Sequence, residues 1–139
     1  MKGRLGWIDV LSYMAYLALA VLAVVYGPRD ALWYAGLILS AVCAVVWFVA
    51  RWQLGPAFSV GAEARRLVTT GLYSRLRHPI YVFGTMAFLF SLLALQGWRA
   101  LASWVVVILI QVARARREDR VLAEAFGTEY AAYRSGTWF

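Results

Sequence analysis

Histidine occurs once, as His78, with Arg77 before it, Pro79 after it and Tyr81 close behind. The acidic pair Glu118 and Asp119 comes later, and Tyr73 stands upstream in a basic stretch. An imidazole, arginines, tyrosines and two carboxylates can together move a proton, hold an anion and accept hydrogen bonds from hydroxyl or ammonium groups. They do so only if the chain brings them to one place. His78 precedes one apolar run, residues 79–95, and Glu118 and Asp119 lie just past the end of the next, residues 100–113. If these runs form an antiparallel helical hairpin, the start of one lies beside the end of the other and the histidine faces the carboxylates. Such a place suits a water-soluble ligand meeting a substrate dissolved in lipid.

The elements that must hold these groups read as membrane helices. Of 139 residues, 63% are hydrophobic and 15% charged, against about 45–50% and 25% in soluble domains. Mean hydropathy is +0.67. This excludes disorder, and the length allows one domain. A net charge of +7 in so apolar a chain reads as a set of topology signals and not as a nucleic-acid footprint. Residues 7–26 and 32–50 are each long enough, at about 1.5 Å per residue, to cross a hydrocarbon core. Between them, Gly27, Pro28, Arg29 and Asp30 read as a turn, with Asp30 able to cap the second helix. A cleaved signal peptide is the weaker reading of the first run, which is long and lacks a small-residue cleavage site. Residues 79–95 and 100–113 are shorter, roughly 21 to 26 Å as helices, and cross by borrowing flanking residues. The expected fold is all-α: a polytopic membrane protein of about four transmembrane helices in two hairpins. It forms a single domain over residues 1–139, with an N-terminal hairpin over 7–50 and a site-bearing core over 51–139.

Orientation follows from the basic residues. Lys2 and Arg4, then Arg51, Arg65, Arg66, Arg75 and Arg77, then Arg114, Arg116, Arg117, Arg120 and Arg134 fall on one side, leaving Arg29 and Arg99 on the other. By the positive-inside rule both termini and the central loop are cytoplasmic, in a bacterial inner membrane or its equivalent. Past the last run, Val121, Leu122, Ala125 and Phe126 keep helical spacing, so the final helix runs on beyond the bilayer. Gly127 is expected to end it, and Tyr130 and Tyr133 share one face of a short last turn. Cys43 is the single cysteine, which excludes an intramolecular disulfide and a cysteine metal cluster. No metal site is expected.

Four polar segments follow one another: Arg51-Trp52-Gln53-Leu54-Gly55-Pro56-Ala57-Phe58-Ser59, Leu67-Val68-Thr69-Thr70-Gly71-Leu72-Tyr73, Arg77-His78-Pro79-Ile80-Tyr81, and Glu118-Asp119-Arg120-Val121-Leu122 continuing to Phe126-Gly127-Thr128-Glu129-Tyr130-Ala131-Ala132-Tyr133. In this order, with a membrane hairpin between the last two, they resemble the isoprenylcysteine carboxyl methyltransferase family and its phospholipid N-methyltransferase relatives. The chain departs from that family in having Asp119 where a second glutamate is usual and Leu72 where Pro or Val is common. Its end, from Arg134 to Phe139, replaces a Pro-containing one.

The resemblance implies methyl transfer from S-adenosylmethionine, leaving S-adenosylhomocysteine. It implies a lipophilic acceptor, such as an isoprenylcysteine-like carboxylate or another small isoprenoid or lipid, with a phospholipid amine as the alternative. Partners are then this acceptor and membrane lipids. The cofactor-binding residues implied are Tyr73, His78, Pro79, Tyr81, Glu118 and Asp119, and the catalytic ones are Arg51, Arg77 and Glu118. Such a cofactor needs aromatic faces for its sulfonium, from Tyr73, Tyr81 or Phe126, and an anion for its ammonium or hydroxyls. Glu118 is expected to carry more than Asp119, whose reach is one methylene shorter. A carboxylate nucleophile needs an arginine to orient it, Arg51 or Arg77, and an amine needs a base, His78 or a carboxylate.

Each residue also has a plainer reading. A histidine before Pro can cap a helix, an acidic pair can balance Arg114, Arg117 and Arg120 on a solvated face, and the loop arginines serve topology. Tyr130 and Tyr133 can be interface anchors, and Trp33, Trp47 and Phe48 read as packing or lipid-facing residues. Two other function classes compete. A small transporter would place an ionisable group mid-membrane, and none of the four runs has an acidic residue near its centre. A scaffold subunit would not need the ordered polar motifs. A Rossmann-type methyltransferase is excluded, because no Gly-rich strand-to-helix turn is present.

Overall fold

The computed structural model describes residues 7–55 and 67–138. Lys2, Arg4, the segment from Pro56 to Ser59, Arg65 and Arg66, which enter the topology and motif readings, lie outside the described residues. Four helices carry the chain: α1 (Trp7–Tyr26), α2 (Ala31–Leu54), α3 (Pro79–Gln96) and α4 (Ala100–Ser135), with short 3-10 turns at Gly71–Ser74 and Gly97–Arg99. Among the described residues there is no strand. Ala31–Leu54 and the segment Pro79–Ser135 are long and apolar enough to cross a membrane, and Met14–Tyr26 is a shorter apolar stretch.

The turn between α1 and α2 closes as its residue types demand. Asp30 sits in extended conformation at the N-cap of α2, and its Oδ1 accepts from the Trp33 backbone N–H at 2.7 Å, satisfying one of the donors a helix start leaves open. The Trp33 indole then folds over Gly27 and donates from Nε1 to the Ala23 carbonyl at 2.7 Å. Any side chain at Gly27 would meet that indole. Trp33 is therefore a buried packing residue, whereas Phe48 is exposed at 57%.

Two hairpins are the arrangement read from the sequence, but the packing centre is a single helix. α3 is packed by α2 above all, then by α1 and α4, and α1 touches α2 little. The reason lies in small and polar residues along the α2–α3 seam. A Cβ at Gly36 would stand 2.8 Å from the Phe90 carbonyl and 3.0 Å from Ala94 Cβ, so the backbones approach as only small residues allow. Lower on the same seam Ser40 Oγ donates to the Ala87 carbonyl at 3.0 Å and lies 2.7 Å from Ser91 Oγ. On the α1 side, Tyr16 donates to the Gly84 carbonyl and stacks on Trp47. The outward faces are apolar instead: Leu17, Val21, Ile38, Val45, Val106 and Leu109 are all exposed. Apolar side chains turned outward over several helices are stable where the surroundings are hydrocarbon.

α4 is twice the length of α3 and outruns the apolar run that begins it. At Gly127 the backbone leaves helical geometry, with φ 47° and ψ −116°. The helix breaks there, as expected, and a further helical segment then resumes to Ser135. That break redirects Tyr130 and Tyr133 toward the starts of the loop turn and α3.

Candidate active site

The loop before α3 is held by the end of α2. Gly71 adopts a positive φ of 64°, which a glycine takes without penalty, and a Cβ there would collide with the Gln53 amide. Gln53 Oε1 accepts from the Leu72 N–H at 2.8 Å. The turn so pinned buries Tyr73 against Ala50 and Val68.

His78 occupies the N-cap position of α3, with Pro79 as the first helical residue, yet its side chain makes no capping bond. The ring reaches across to α4 instead. Its Nε2 donates to Asp119 Oδ1 at 2.8 Å, and its Nδ1 lies 3.9 Å from Glu118 Oε2. Tyr130 Oη, delivered by the break at Gly127, donates to the same Asp119 Oδ1, while Arg77 Nη1 lies 3.9 Å from Oδ2. Tyr133 Oη donates to the Tyr73 carbonyl at 2.6 Å, and the Trp138 N–H donates to the Arg75 carbonyl at 2.8 Å. The last eleven described residues thus strap the loop turn to the carboxylate end of α4.

Electrostatics follow this packing. Burial alone would raise the Asp119 carboxyl. The hydrogen bond from Tyr130, the charge and hydrogen bond of His78 and the charge of Arg77 outweigh it and hold the group below its ordinary 3.8. Tyr130 moves the opposite way, raised by burial and by the Asp119 carboxylate that accepts its proton. Burial also pushes Tyr133 up to about 12, against the pull of the Arg77 charge. Tyr73 is raised, first by burial and then by Glu118. These hydroxyls therefore stay protonated and act as donors. Arg77 Nε and Nη1 are buried without hydrogen-bond partners, as is Tyr73 Oη.

A cavity of about 450 Å³ opens beside this array between α3 and α4. Its polar end is lined by Arg77, His78, Asp119, Arg116 and Arg134, and its apolar length by Val82, Met86, Trp104, Ile108 and Val112. Tyr81 stands between the two zones, with the Arg114 guanidinium 5.4 Å from its ring centroid.

The structure brings Arg77, His78, Tyr81 and Asp119 to the cavity wall and puts Glu118 beside His78. Tyr73 and Pro79 are buried behind that wall. Arg51 is not part of the cavity lining. Its Nη1 donates to the Gly55 carbonyl at 3.2 Å, and its charge acts on Tyr73. Within the protein Asp119 is the hub of the hydrogen bonds, meeting His78 and Tyr130, while Glu118 stands 3.9 Å from His78 Nδ1. Sequence reading missed Arg116, Arg134, Gln111 and Trp104, which also line the cavity. Gln111 carried a legible signal as a lone amide in an apolar run, whereas Arg116 and Arg134 were absorbed in the topology count.

A family model described as phospholipid methyltransferase matches residues 31–129. The match spans α2, α3 and most of α4, with Tyr73, Arg77, His78, Tyr81, Glu118 and Asp119, and stops before Tyr130, Tyr133 and Arg134. No curated protein and no solved structure matches the chain.

Proposed function

The chain belongs to the phospholipid methyltransferase family, a family of membrane methyltransferases, and on that premise we propose that it moves a methyl group from S-adenosylmethionine to a lipophilic acceptor at the cytoplasmic membrane face. The single observation that carries this reading is the cavity itself. One end is polar, formed by Arg77, His78 and Asp119, and it continues without interruption into an apolar groove between α3 and α4. A polar donor and a greasy acceptor meet at such a junction.

The residues present fit the donor. Arg77 holds two buried guanidinium nitrogens with no hydrogen-bond partner, a match for the donor's amino-acid carboxylate. Glu118, a third exposed and only loosely tied to His78, would accept from its ammonium or ribose hydroxyls. Tyr81 offers an aromatic face to a sulfonium. When bound, the donor supplies a methyl carbon whose bond to sulfur breaks as the bond to the nucleophile forms, the electron pair leaving with sulfur. The protein's own task is then alignment and exclusion of water. Asp119, fixed by His78 and Tyr130, keeps the start of α3 against α4, so the polar end holds its shape.

We take the acceptor to be a carboxylate of isoprenylcysteine-like or other small isoprenoid or lipid character. Three arginines and one aspartate are the charged residues that line the cavity, a balance that favours an anion over a phospholipid amine. Four crossings complete the proposal, with the apolar runs of α3 and α4 extended by flanking residues. Arg75, Arg77, Arg114, Arg116, Arg117, Arg120 and Arg134 then share the cytoplasmic side. A transporter or scaffold subunit would have no use for the donor.

The test is calorimetric titration of the detergent-purified protein with S-adenosylhomocysteine, alongside His78→Ala and Glu118→Ala. Micromolar or tighter binding that both folded variants lose is the expected result. A well-folded parent that binds none of it ends the methyltransferase reading.

A further inference from the structure

Two polar groups in the membrane part of the cavity lack a hydrogen-bond partner among the described residues: the buried Trp104 Nε1 and the amide of Gln111. Trp104, Ile108, Gln111, Ala115 and Asp119 follow one another at helical spacing and form the stripe of α4 that faces the cavity. Gln111 is the polar member between Trp104 and Asp119. It sits eight residues before Asp119, about 12 Å lower along the helix axis. It is half-buried, and its amide has no hydrogen-bond partner among the described residues. On α3, the neighbouring polar group of the cavity, Thr85, is already satisfied, its Oγ1 donating to the Tyr81 carbonyl at 2.6 Å. An unpaired amide in hydrocarbon is costly, and a leucine would fill the same volume. The amide is therefore kept for something that enters the cavity.

We propose that Gln111 is an acceptor-binding residue: its amide N–H holds one oxygen of the acceptor's carboxylate inside the apolar part of the cavity, below its polar end. This rests on the methyltransferase reading above and deepens it. With one oxygen held, the other is left to form the bond to the methyl carbon. The carbon–sulfur bond breaks with its electron pair going to sulfur, and a neutral ester results with no proton to remove. Beside Gln111, at about its level, stands Met86, and below it the groove is lined by Ile108 and Trp104, which matches a hydrocarbon chain that begins next to the carboxylate. Above it, Arg77, Arg116 and Arg134 supply the positive field that draws the anion in.

The experiment is equilibrium binding in lipid nanodiscs of two tritiated probes with the same chain, S-farnesylthioacetate and the corresponding farnesylthioethylamine. It is done with S-adenosylhomocysteine present, on the parent, Gln111→Leu and Gln111→Glu, with thermal melting of each. The parent is expected to prefer the carboxylate. Gln111→Leu should weaken carboxylate binding on the order of tenfold, the loss of one hydrogen bond to a charged group, while its melting temperature stays level or rises. A structural glutamine would melt lower instead. Gln111→Glu should lose the carboxylate and gain affinity for the amine. A parent that prefers the amine or binds neither probe overturns the proposal, as does a Gln111→Leu variant that binds the carboxylate like the parent. S-adenosylhomocysteine binding in the same preparations separates the two levels. If it persists, only the role of Gln111 falls, and if the parent lacks it, the methyltransferase reading falls with it.

Discussion

His78 Nε2 and Asp119 Oδ1 lie 2.8 Å apart, which ties the residue preceding α3 to the far part of α4 across the mouth of the cavity. Both side chains are largely withdrawn from solvent, at 10% and 22% exposure. A charge-assisted bond in such a setting is stronger than one on an open surface. The pair therefore serves as the clasp of the site.

Removing the anion should cost both shape and ligand. In Asp119→Asn, His78 and Tyr130 keep only a neutral amide oxygen in place of the carboxylate, and the folded state should lose roughly 1–2 kcal/mol together with about tenfold or more in S-adenosylhomocysteine affinity. Glu118→Gln should weaken the ligand more than the fold, because Glu118 stands 3.9 Å from His78 and meets Tyr81, contacts that a glutamine of the same length can keep. Denaturation in mixed micelles and calorimetry on both variants separate these outcomes, and equal loss of stability in the two would contradict the assignment.

The acid limb of stability should report the same clasp. The folded-state carboxyl of Asp119 lies below 3.8, so its contribution is fully present above the unfolded value and is lost as pH falls through the folded one. Tyr130→Phe removes the hydrogen bond that does most to lower it. The loss of stability in acid should then be smaller and be complete at a higher pH than in the parent, with a cost near neutrality of about 1 kcal/mol. Melting curves taken across the acid range decide this, and superimposable acid limbs would refute it.

Gly127 should tolerate no side chain in its present conformation. Nothing lies within 4 Å of a Cβ placed there, so sterics with neighbours are not the issue. The strain is in the backbone, whose φ of 47° and ψ of −116° cost an L-residue about 1–3 kcal/mol. Gly127→Ala should relieve it by straightening α4, carrying Tyr130 and Tyr133 off Asp119 and Tyr73. Helix content by circular dichroism should hold or rise while S-adenosylhomocysteine binding falls.

Gly36→Val probes the α2–α3 seam far from the site. Its Cβ would stand 2.8 Å from a backbone carbonyl, which cannot move as a flexible side chain would. A stability loss of about 1–3 kcal/mol is expected, with donor affinity in the remaining folded protein unchanged.

Much of this was legible in the residues. The apolar runs gave α1, α2, α3 and the first part of α4, because a helix long enough to satisfy its own backbone is what an apolar stretch becomes in lipid. Asp30 as a cap and Gly127 as a break follow from local chemistry, which needs no distant partner. The ordered motifs pointed to the broad family of membrane methyltransferases and to Arg77, His78, Tyr81 and Asp119, which the structure brings to one cavity. What local sequence does not encode is distance between elements. That Asp119 and not Glu118 is the hub, and that Arg51 stays with Gly55 away from the cavity, depends on how close α3 and α4 come. So do the strap from Tyr130 to Trp138 and the single unpaired amide of Gln111. Those are decided by the packing of α4 against α3 and by one glycine turning the last helix back: packing sums contacts from the whole chain, and no single segment carries that sum.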